Sequence, residues 1–344
     1  MKYAEVTQFG LSRNWAVYVL ARRTQTNLPL ADRSDADPLL EENTFDTWAE
    51  AIEWANGQVH NHHYRYGRRS VLTLPSEGLH DGIPEKAYHA DPRSLSSTGA
   101  KTLLYQGARA FQWQQAHATH KDAYDFGSVV HALILGVGDI SVVDAATWAG
   151  KAAKEERAAA RAAGKTPILA KDYHTALAMA DAVSENALAE SLLTAGRPEV
   201  SMWAYDPTTG VLMRGRIDSL APTSFSDVKT AAGPVDPREF SWTVRKFHYT
   251  FQAAWYQRIL ALNGYSDLPP YWIAVGKEAP HEVYVHQPSE DMLTAAHEDV
   301  DAALRLYREC LDTDTWPGLA DANTIHTLTD TPWITDEEEE VVYG

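Results

Sequence analysis

The sequence predicts a mixed α/β (α+β) fold, in which a central mixed sheet is flanked by helices. Residues 199–231 alternate apolar and polar side chains with a period of two around turn sequences, which is typical of an antiparallel meander. A nearly all-apolar segment at 127–135 precedes the meander and indicates a buried helix. A long helical run from about Pro237 to Asn263 follows it. Helices on either side of a strand unit favour a sheet covered by helices.

The first 80 residues are predicted to form a separate small α/β module of unknown role. Residues 14–23 are predicted as a strand and 44–59 as an amphipathic helix, with a polar loop between them. The next segment, 60–70, contains three His, two Tyr and three Arg. It is either a DNA-contacting loop or a solvated linker. The spacing of its histidines, which lack a partner cluster, does not predict a zinc site.

Residues 81–314 are predicted to form the main domain, which opens with a helix. The segment LSSTGAKTLL (95–104) offers Ser and Thr caps to a helix that runs to about Ala116. Free amides and hydroxyls at a helix N-terminus can also hold a terminal phosphate. Two readings are therefore open for the hydroxyls at the start of this helix, namely ordinary capping or a phosphate site: Ser96, Ser97 and Thr98.

A helical insertion is predicted at about 145–196. Its first helix, 151–165, is Ala-rich, and its five cations face either DNA or solvent. Residues 170–196 are predicted to continue as helix. The remaining predicted elements follow in chain order: strands at 270–277 and 281–287, a closing helix at 289–310 and an acidic tail at 315–344.

The most informative stretch is GRIDSLAPTSFSDVKT, in which two strand-like runs each deliver an aspartate. Asp218 comes from the first run, Asp227 from the second, and Lys229 follows two positions later. Side chains at i and i+2 of a strand share a face, so Asp227 and Lys229 point the same way, and Asp218 joins them if the strands are neighbours. Two carboxylates and a lysine at one point suit Mg²⁺ beside a phosphodiester. The alternative is a pair of surface acids in a hairpin.

Two further polar groups accompany this unit. His131 is the one polar side chain after Ser128 in the apolar segment GSVVHALIL, so it is either a hydrogen-bonded core residue or a metal ligand. Gln252 and Tyr256 are four residues apart on the predicted helix and share a face. They are either two polar residues beside an apolar face or part of a site.

In chain order the motifs are G-x-x-x-H, G-x-x-D, D-x-K and Q-x-x-x-Y. With them the chain resembles the PD-(D/E)XK nuclease superfamily and its restriction-endonuclease-like core. More narrowly, it resembles the RecE-type (exonuclease VIII-like) branch of phage recombination systems. The segments YHADPRSLSSTGAKTLL (88–104) and FGSVVHALILG (126–136) are also similar to that branch. The resemblance covers roughly residues 84–290.

The resemblance implies a role for each motif residue. His131, Asp218 and Asp227 would be metal ligands, with the backbone carbonyl of Val228 as a further oxygen. Lys229 would orient or deprotonate the attacking water and stabilise the charge growing on the phosphate. Asp227 replaces the Glu that the family often has, and it keeps a hard oxygen ligand with a shorter reach. Site support or contact with DNA is implied for four more residues: Gln252, Tyr256, Arg216 and Glu199.

The same resemblance implies Mg²⁺ as the cofactor, with Mn²⁺ as a substitute, because this ligand set leaves room for water and a phosphate oxygen. The implied activity is a metal-dependent 5′→3′ exonuclease that acts on linear double-stranded DNA and leaves 3′ single strands for recombination. The terminal phosphate at Ser96 and Ser97 would then be a 5′ phosphate. Two alternatives remain, a structure-specific endonuclease of the same superfamily and a non-catalytic DNA-binding or assembly subunit.

Composition restricts these classes further. The 344 residues are 44% hydrophobic, which is ample for a large core, and the one cysteine, Cys310, excludes disulfide frameworks, cysteine zinc sites and a four-cysteine iron–sulfur cluster. No apolar run approaches the roughly 20 residues of a membrane span. The start of the sequence has no signal-peptide core. We therefore expect a soluble, cytoplasmic protein of a bacterium or a phage-infected host, without a membrane partner.

The charge is unusual for a DNA enzyme. The formal net charge is −17, and ten Asp and Glu residues follow Arg308 without a single Lys or Arg. Phosphate binding needs Lys and Arg, so we expect DNA to lie in a restricted basic channel, with metal ions offsetting the acids of the site. The resemblance implies a ring-shaped homo-oligomer around duplex DNA ends and a separate single-strand annealing recombinase as a partner.

Overall fold

The computed structural model describes residues 77–117, 122–266 and 268–327, together with the backbone of five earlier strands. These five strands form one sheet in the order β3-β2-β1-β4-β5. Their bounds are as follows: β1 (Lys2–Gln8), β2 (Trp15–Ala21), β3 (Leu39–Phe45), β4 (His63–Tyr66) and β5 (Leu72–Thr73).

Strand β2 confirms the strand predicted at 14–23, but two predictions around it are wrong in part. Strand β3 occupies the end of the predicted polar loop and the first two residues of the helix predicted at 44–59, whose other residues lie outside the described part. Strand β4 lies within the segment 60–70, which was expected to be a loop or linker. β3 is an edge strand paired with the apolar β2, and edge strands tolerate charged residues that hide the strand pattern.

The central sheet carries seven strands, of which six follow the order β14-β13-β12-β11-β10-β6. β10–β11 and β11–β12 are antiparallel, as the predicted meander requires, whereas β12 and β13 are parallel. The mixed sheet predicted from the sequence is therefore confirmed. The strands are β6 (Gly78–His80), β7 (Leu95–Ser96), which pairs with β11, β10 (Arg197–Tyr205), β11 (Leu212–Leu220), β12 (Phe225–Ala231), β13 (Pro270–Gly276) and β14 (Val283–His286).

Two strands of this sheet separate soon after they pair. β11 and β12 are joined only at Ser219↔Ser226 and Leu220↔Phe225, beside their connecting turn. Beyond those pairs β12 follows β13 along its whole length, while β11 follows β10. The ladder between β11 and β12 therefore opens into a fork immediately at Asp218 and Asp227, the next residues on each strand.

Helices connect and cover these strands. Strand β9 (Thr166–Leu169) of the insertion pairs in parallel with β8 (Ile140–Val143), which lies just before the insertion, and the sequence did not predict this small sheet. The helices of the described residues are α1 (Glu85–His89), α2 (Ser97–Tyr105), α3 (Ala108–Ala116), α4 (Asp122–Leu135), α5 (Lys151–Ala162), α6 (Ala170–Glu185), α7 (Ala187–Thr194), α8 (Pro237–Phe247), α9 (Tyr249–Leu262) and α10 (Glu290–Thr313).

Three helices predicted as continuous are each divided in two. α2 and α3 separate at Gly107, whose φ is +97°. The backbone of Leu319 lies so close to Gly107 that a Cβ there would be 3.1 Å from the backbone nitrogen of Leu319. α6 and α7 separate at Asn186, whose side chain accepts a hydrogen bond from Ala189 N at 3.1 Å and caps α7. α8 and α9 separate at His248, which has the left-handed values φ 51° and ψ 51°. Each break depends on local caps or on tertiary packing that periodicity does not reveal.

The helices cover both faces of the sheet. On β13, Ile273 and Val275 pack in the core that includes residues of α4 and α6, whereas Trp272 and Ala274 pack in the core beneath α8 and α9. The largest apolar core joins α9, α10 and α2 to β10 and β11. Consequently α4 and α9 reach the fork from opposite faces. None of the described helices combines the length and apolar character that crossing a bilayer requires.

Residues after α10 continue to pack on the domain. Trp316 stacks on Phe111 of α3 with ring centroids 5.8 Å apart, and Arg109 N donates a hydrogen bond to Pro317 O at 2.9 Å. The predicted division into an N-terminal module, a main domain at 81–314 and an acidic tail stays a prediction. The last residues of that tail, 328–344, lie outside the described part.

Candidate active site

The fork between β11 and β12 brings both predicted acids together with His131. Asp218 Oδ2 accepts a hydrogen bond from Val228 N at 2.7 Å, in place of the backbone ladder that has ended there. The same oxygen lies 3.3 Å from His131 Nδ1 of α4. Asp218 and Asp227 are 8% and 6% exposed, so two carboxylates are buried at one point of the sheet.

Lys229 completes the group on the α9 side of the sheet. Its ammonium contacts Asp227 Oδ2 in a buried ion pair and donates a hydrogen bond to Gln252 Oε1 at 2.7 Å. Nζ also lies 4.3 Å from the ring centroid of Tyr249, a cation–π contact. The lysine is therefore fixed by three neighbours rather than free to rotate.

Gln252 ties the helix to the strand. Its Nε2 donates to Asp227 Oδ1 at 3.2 Å and lies 2.9 Å from Tyr256 Oη, while its Oε1 accepts from Lys229. An amide can donate and accept at once, so one Gln side chain holds a carboxylate and an ammonium group in a fixed relation. The spacing of four residues places Gln252 and Tyr256 on the same face of α9, as predicted.

Gly215 explains the glycine of the G-x-x-D motif. A Cβ at this position of β11 would lie 2.9 Å from ring carbons of Tyr256 and 2.7 Å from Met202 Cε. Real Cβ atoms do not approach other atoms so closely, so any larger residue would push α9 away from the sheet. Gly215 thus allows Tyr256, and with it Gln252, to reach the fork.

Arg216 and Glu199 form a second polar group beside the acids. Arg216 donates to Glu199 Oε2 at 3.2 Å, to Ser201 Oγ at 2.9 Å and to Ile83 O at 2.7 Å. Its guanidinium also lies 4.4 Å from the ring centroid of Tyr88. These contacts occupy Arg216 within the protein, so it holds Glu199 and the β10–β11 surface in place.

The hydroxyls at the start of α2 have structural partners. Ser96 Oγ accepts a hydrogen bond from Gly99 N at 3.1 Å and is the N-cap of the helix. Ser97 is buried, and Thr98 O accepts from the Thr102 hydroxyl at 3.1 Å. Capping is thus observed at Ser96, and the phosphate site stays a prediction.

Sequence reasoning missed two residues of the site, Lys101 and Tyr249. Lys101 Nζ donates to Phe247 O at 3.1 Å, and burial together with the nearby Lys229 lowers the pKa of Lys101 to about 8. Tyr249 precedes Gln252 by three residues and Tyr256 by seven, so helical spacing could have found it. Lys101 reaches the site from a distant helix, and its sequence neighbourhood carries no such signal.

Burial and neighbouring charge perturb the proton affinity of the central groups. Burial, and then the charge of Asp227, hold the pKa of Asp218 well above its usual value. Burial also lowers the pKa of His131 and so favours the neutral imidazole, the form that binds metals. Burial alone would lower the pKa of Lys229, but the carboxylate of Asp227 and other neighbours outweigh it and raise that pKa.

The donor types at the fork fit a divalent cation. Asp227 Oδ2 is buried and, apart from its ionic contact with Lys229, has no hydrogen-bond partner within the described chain. Two carboxylates buried side by side repel each other when both are ionised, and a cation would offset that repulsion. Across residues 77–117, 122–266 and 268–327, however, no three His, Cys, Asp or Glu side chains are gathered into a complete metal cluster. The two carboxylates and the imidazole are donors of the types that suit a divalent cation, and in this structure hydrogen bonds and ion pairs within the protein hold them.

A forked mixed sheet with helices on both faces, and buried acids and a lysine at the fork, defines a PD-(D/E)XK-type nuclease core. The family model described as "PDDEXK-like domain of unknown function (DUF3799)" matches residues 96–328, and the chain belongs to this family. Membership of the PD-(D/E)XK superfamily, predicted from the motifs, is confirmed. Nucleases of this class generally use divalent metal ions.

One solved structure similar to this chain is the crystal structure of a candidate exonuclease from Eubacterium rectale. It has a TM-score of 0.50 and 16% sequence identity, over 74% of this chain and 95% of that chain. The similarity supports the fold. No curated protein matches the chain.

Proposed function

We propose that this protein is a metal-dependent deoxyribonuclease of the RecE type, a 5′→3′ exonuclease on linear double-stranded DNA. The observation that carries the proposal is the convergence of His131, Asp218, Asp227, Lys229 and Gln252 at one fork of the sheet. The description of the Eubacterium rectale protein as a candidate exonuclease supports the exonuclease class. The 3′ single strands left by this reaction would pass to an annealing recombinase.

The residues that would hold the ion are Asp218 and Asp227, with His131 and the carbonyl of Val228. Mg²⁺ bound there, or Mn²⁺ in its place, would lower the pKa of a bound water and offset negative charge on the phosphate. Neutral His131 can donate a lone pair because burial lowers its pKa. The pair of buried acids supplies the hard oxygen atoms that these ions prefer.

Lys229 acts as a cation in this scheme. In the absence of a metal ion, the carboxylate of Asp227 raises its pKa despite burial, which favours the ammonium form. An ammonium group orients a water and stabilises charge growing on a phosphate oxygen, but it cannot accept a proton. Gln252 keeps that ammonium beside Asp227. Of the two roles expected from the sequence, orientation and charge stabilisation therefore fit Lys229 better than proton abstraction.

Two variants test the proposal directly. Asp227→Ala and Lys229→Ala should each lower degradation of linear duplex DNA by about a hundredfold or more, because the first removes a ligand of the ion and the second removes the cation that would stabilise charge on the phosphate. Lys151→Ala is the matched control, since its side chain is 91% exposed on α5 and activity should not change. EDTA should abolish the activity, and Mg²⁺ or Mn²⁺ should restore it. Circular dichroism and thermal melting verify that each variant is folded.

Undiminished activity in either variant would contradict the assignment of the site. Calorimetry addresses the alternative of a non-catalytic DNA-binding subunit. Absence of heat on titration of Mg²⁺ or Mn²⁺ into the wild-type protein, together with absence of hydrolysis, would favour that alternative. A digestion time course on end-labelled duplex, with and without a 5′ phosphate, tests the proposed strand polarity and the proposed phosphate site at Ser96 and Ser97.

A further inference from the structure

The outer face of α8 differs from the rest of this acidic chain. Four exposed residues, at spacings of three and four, share one side of the helix: Arg238, Trp242, Arg245 and Lys246. The exposed acid Glu239 lies beside them on the same side. Trp242 is 51% exposed, whereas Phe240 and Val244 on the opposite side are buried. We call these four residues the α8 face. Three cations against the single acid Glu239, together with an exposed tryptophan, give this side of the helix a local positive charge in a chain of net charge −17, and such a surface is complementary to a polyanion.

Two exposed aromatic rings of this helix each lie beside a cation. The guanidinium of Arg245 lies 5.1 Å from the ring centroid of Trp242, and Lys246 Nζ lies 5.6 Å from that of Phe247. Phe247 ends the helix and is 49% exposed. Exposed rings beside cations are the surfaces on which unpaired bases stack while their phosphates bind the charges.

The α8 face is continuous with the catalytic group. Phe247 stacks on Tyr249 with ring centroids 5.7 Å apart, and the Tyr249 ring lies 4.3 Å from Lys229 Nζ. The backbone oxygen of Phe247 accepts a hydrogen bond from Lys101 Nζ at 3.1 Å. A line of rings and ammonium groups therefore runs from the solvent-exposed surface of α8 to the lysine beside the acids.

We propose that the α8 face and Phe247 bind an unpaired DNA strand and lead it to Lys229. Bases of the strand stack on Trp242 and Phe247, and its phosphates contact the cations of the α8 face and Lys101. Single-stranded DNA is the occupant because the two exposed rings suit unstacked bases, which a duplex does not present. A duplex would need only a broad basic surface, and this chain carries a strong excess of acids. This inference rests on the proposed nuclease function and names the form of DNA at its site.

The test is fluorescence anisotropy of a dye-labelled oligothymidine strand, measured in EDTA so that hydrolysis does not contribute. Trp242→Ala should weaken binding about tenfold, within the range seen when a stacked base loses its aromatic partner. Trp242→Phe should restore most of the affinity, because a ring remains. Arg245→Ala combined with Lys246→Ala should also weaken binding, by about tenfold in low salt. Circular dichroism checks the fold, which these exposed positions should leave intact.

Trp113→Ala is the matched control. Trp113 is 60% exposed on α3, which packs against α2 and α10 rather than continuing into the catalytic group. Its removal should leave affinity for the strand unchanged. Failure of the wild type to bind the strand, or equal binding by Trp242→Ala and the wild type, would overturn the inference.

The outcome separates this inference from the proposed function. If the wild type hydrolyses DNA and the α8 variants bind the strand as well as the wild type does, the inference is wrong but the proposed function stands. Strand binding that depends on Trp242, without any hydrolysis in Mg²⁺ or Mn²⁺, would sink the nuclease function and leave the α8 face as a DNA-binding surface.

Discussion

Gly215 is the residue that lets α9 approach the sheet at the candidate active site. Gly215→Ala should destabilise the protein by about 1–3 kcal/mol, because a Cβ would overlap the Tyr256 ring and the structure must shift to accommodate it. The same shift should lower nuclease activity, since Gln252 moves with the helix. Urea unfolding and a duplex digestion assay measure the two effects.

Gly233→Ala provides the comparison for this substitution. A Cβ there meets nothing within 4 Å and the backbone φ is not positive, so the change should stay within about 0.5 kcal/mol. If Gly215→Ala proved as stable and as active as Gly233→Ala, the close approach of Tyr256 to β11 would be incorrect.

Asp218 illustrates how a candidate metal ligand can oppose stability. Its pKa in the folded protein lies above the usual 3.8, so the folded state binds more protons than the unfolded state between those values. The stability that this group contributes is present below the unfolded pKa and is lost as pH rises through the folded pKa. Asp218→Asn should therefore stabilise the metal-free protein at neutral pH, and the gain should shrink as pH falls towards 3.8.

Denaturant unfolding in EDTA at several pH values measures this gain. The exposed Asp181→Asn on α6 is the control and should change stability by no more than about 0.5 kcal/mol. Mg²⁺ at a hundred times its Kd should stabilise the wild type by about 2.7 kcal/mol and Asp218→Asn by much less. A metal-free Asp218→Asn variant less stable than the wild type would contradict the buried like-charge pair.

At the scale of elements, the break between α8 and α9 positions both the α8 face and α9, which carries Gln252 to the candidate site. His248 adopts a left-handed conformation and stacks on Tyr105 of α2 with ring centroids 3.6 Å apart. The segment around it, RKFHYTFQ, has no Gly or Pro, so local preference favours the continuous helix that was predicted. Contact with another helix therefore decides the break, and sequence periodicity cannot report it.

Substitution of His248 distinguishes a broken helix from a continuous one. Both His248→Ala and His248→Gly lose the ring stack, but only Ala retains the left-handed strain, of roughly 1–2 kcal/mol. His248→Gly should thus be about 1 kcal/mol more stable than His248→Ala. If the helix were continuous, His248→Ala would instead be the more stable of the two variants, because Gly destabilises a helix interior relative to Ala. Ala158→Gly, inside α5, is the reference for that effect and should cost about 1 kcal/mol. Thermal and denaturant melts that found His248→Ala the more stable would argue for one unbroken helix.

Elements with strong patterns were predicted well. The period-two meander gave β10, β11 and β12, and apolar composition gave α4, because in both cases the buried face dominates the sequence. β3 was missed because an edge strand can be polar, and the helix breaks were missed because caps and tertiary contacts set them. Lys101 was missed because only the packing of α2 beside α8 brings it to the site.

At the scale of the whole molecule, the candidate site combines side chains from helices that pack on opposite faces of the central sheet. His131 arrives from α4 and Gln252 from α9, while the sheet supplies the acids and Lys229 between them. No local pattern indicates that helices so far apart in sequence meet at one fork. The convergence was predictable only because the order of the motifs resembles that of a known superfamily. Physically, the side chains can converge because the β11–β12 ladder opens at Asp218 and leaves space between the strands.

For the proposed deoxyribonuclease, the overall charge of the chain predicts which form of DNA is attacked. A net charge of −17 opposes broad binding along a duplex, because duplex phosphates are held by extended sets of Lys and Arg. Activity should therefore be confined to DNA ends, where a strand can separate and reach Lys229. A linearised plasmid should be degraded, while the covalently closed circle of the same sequence stays intact after the linear form is consumed.

Gel electrophoresis of both forms over time, with Asp227→Ala in parallel to exclude contaminating nucleases, measures this difference. Cleavage of the closed circle at a rate near that of the linear form would favour the structure-specific endonuclease instead. That result would mean that the protein holds an intact duplex despite its charge, so binding would have to involve cations outside the α8 face. If the circle resists degradation while the linear form is rapidly lost, the protein requires a free DNA end. That requirement is the one expected of an acidic chain whose α8 face is its local basic surface.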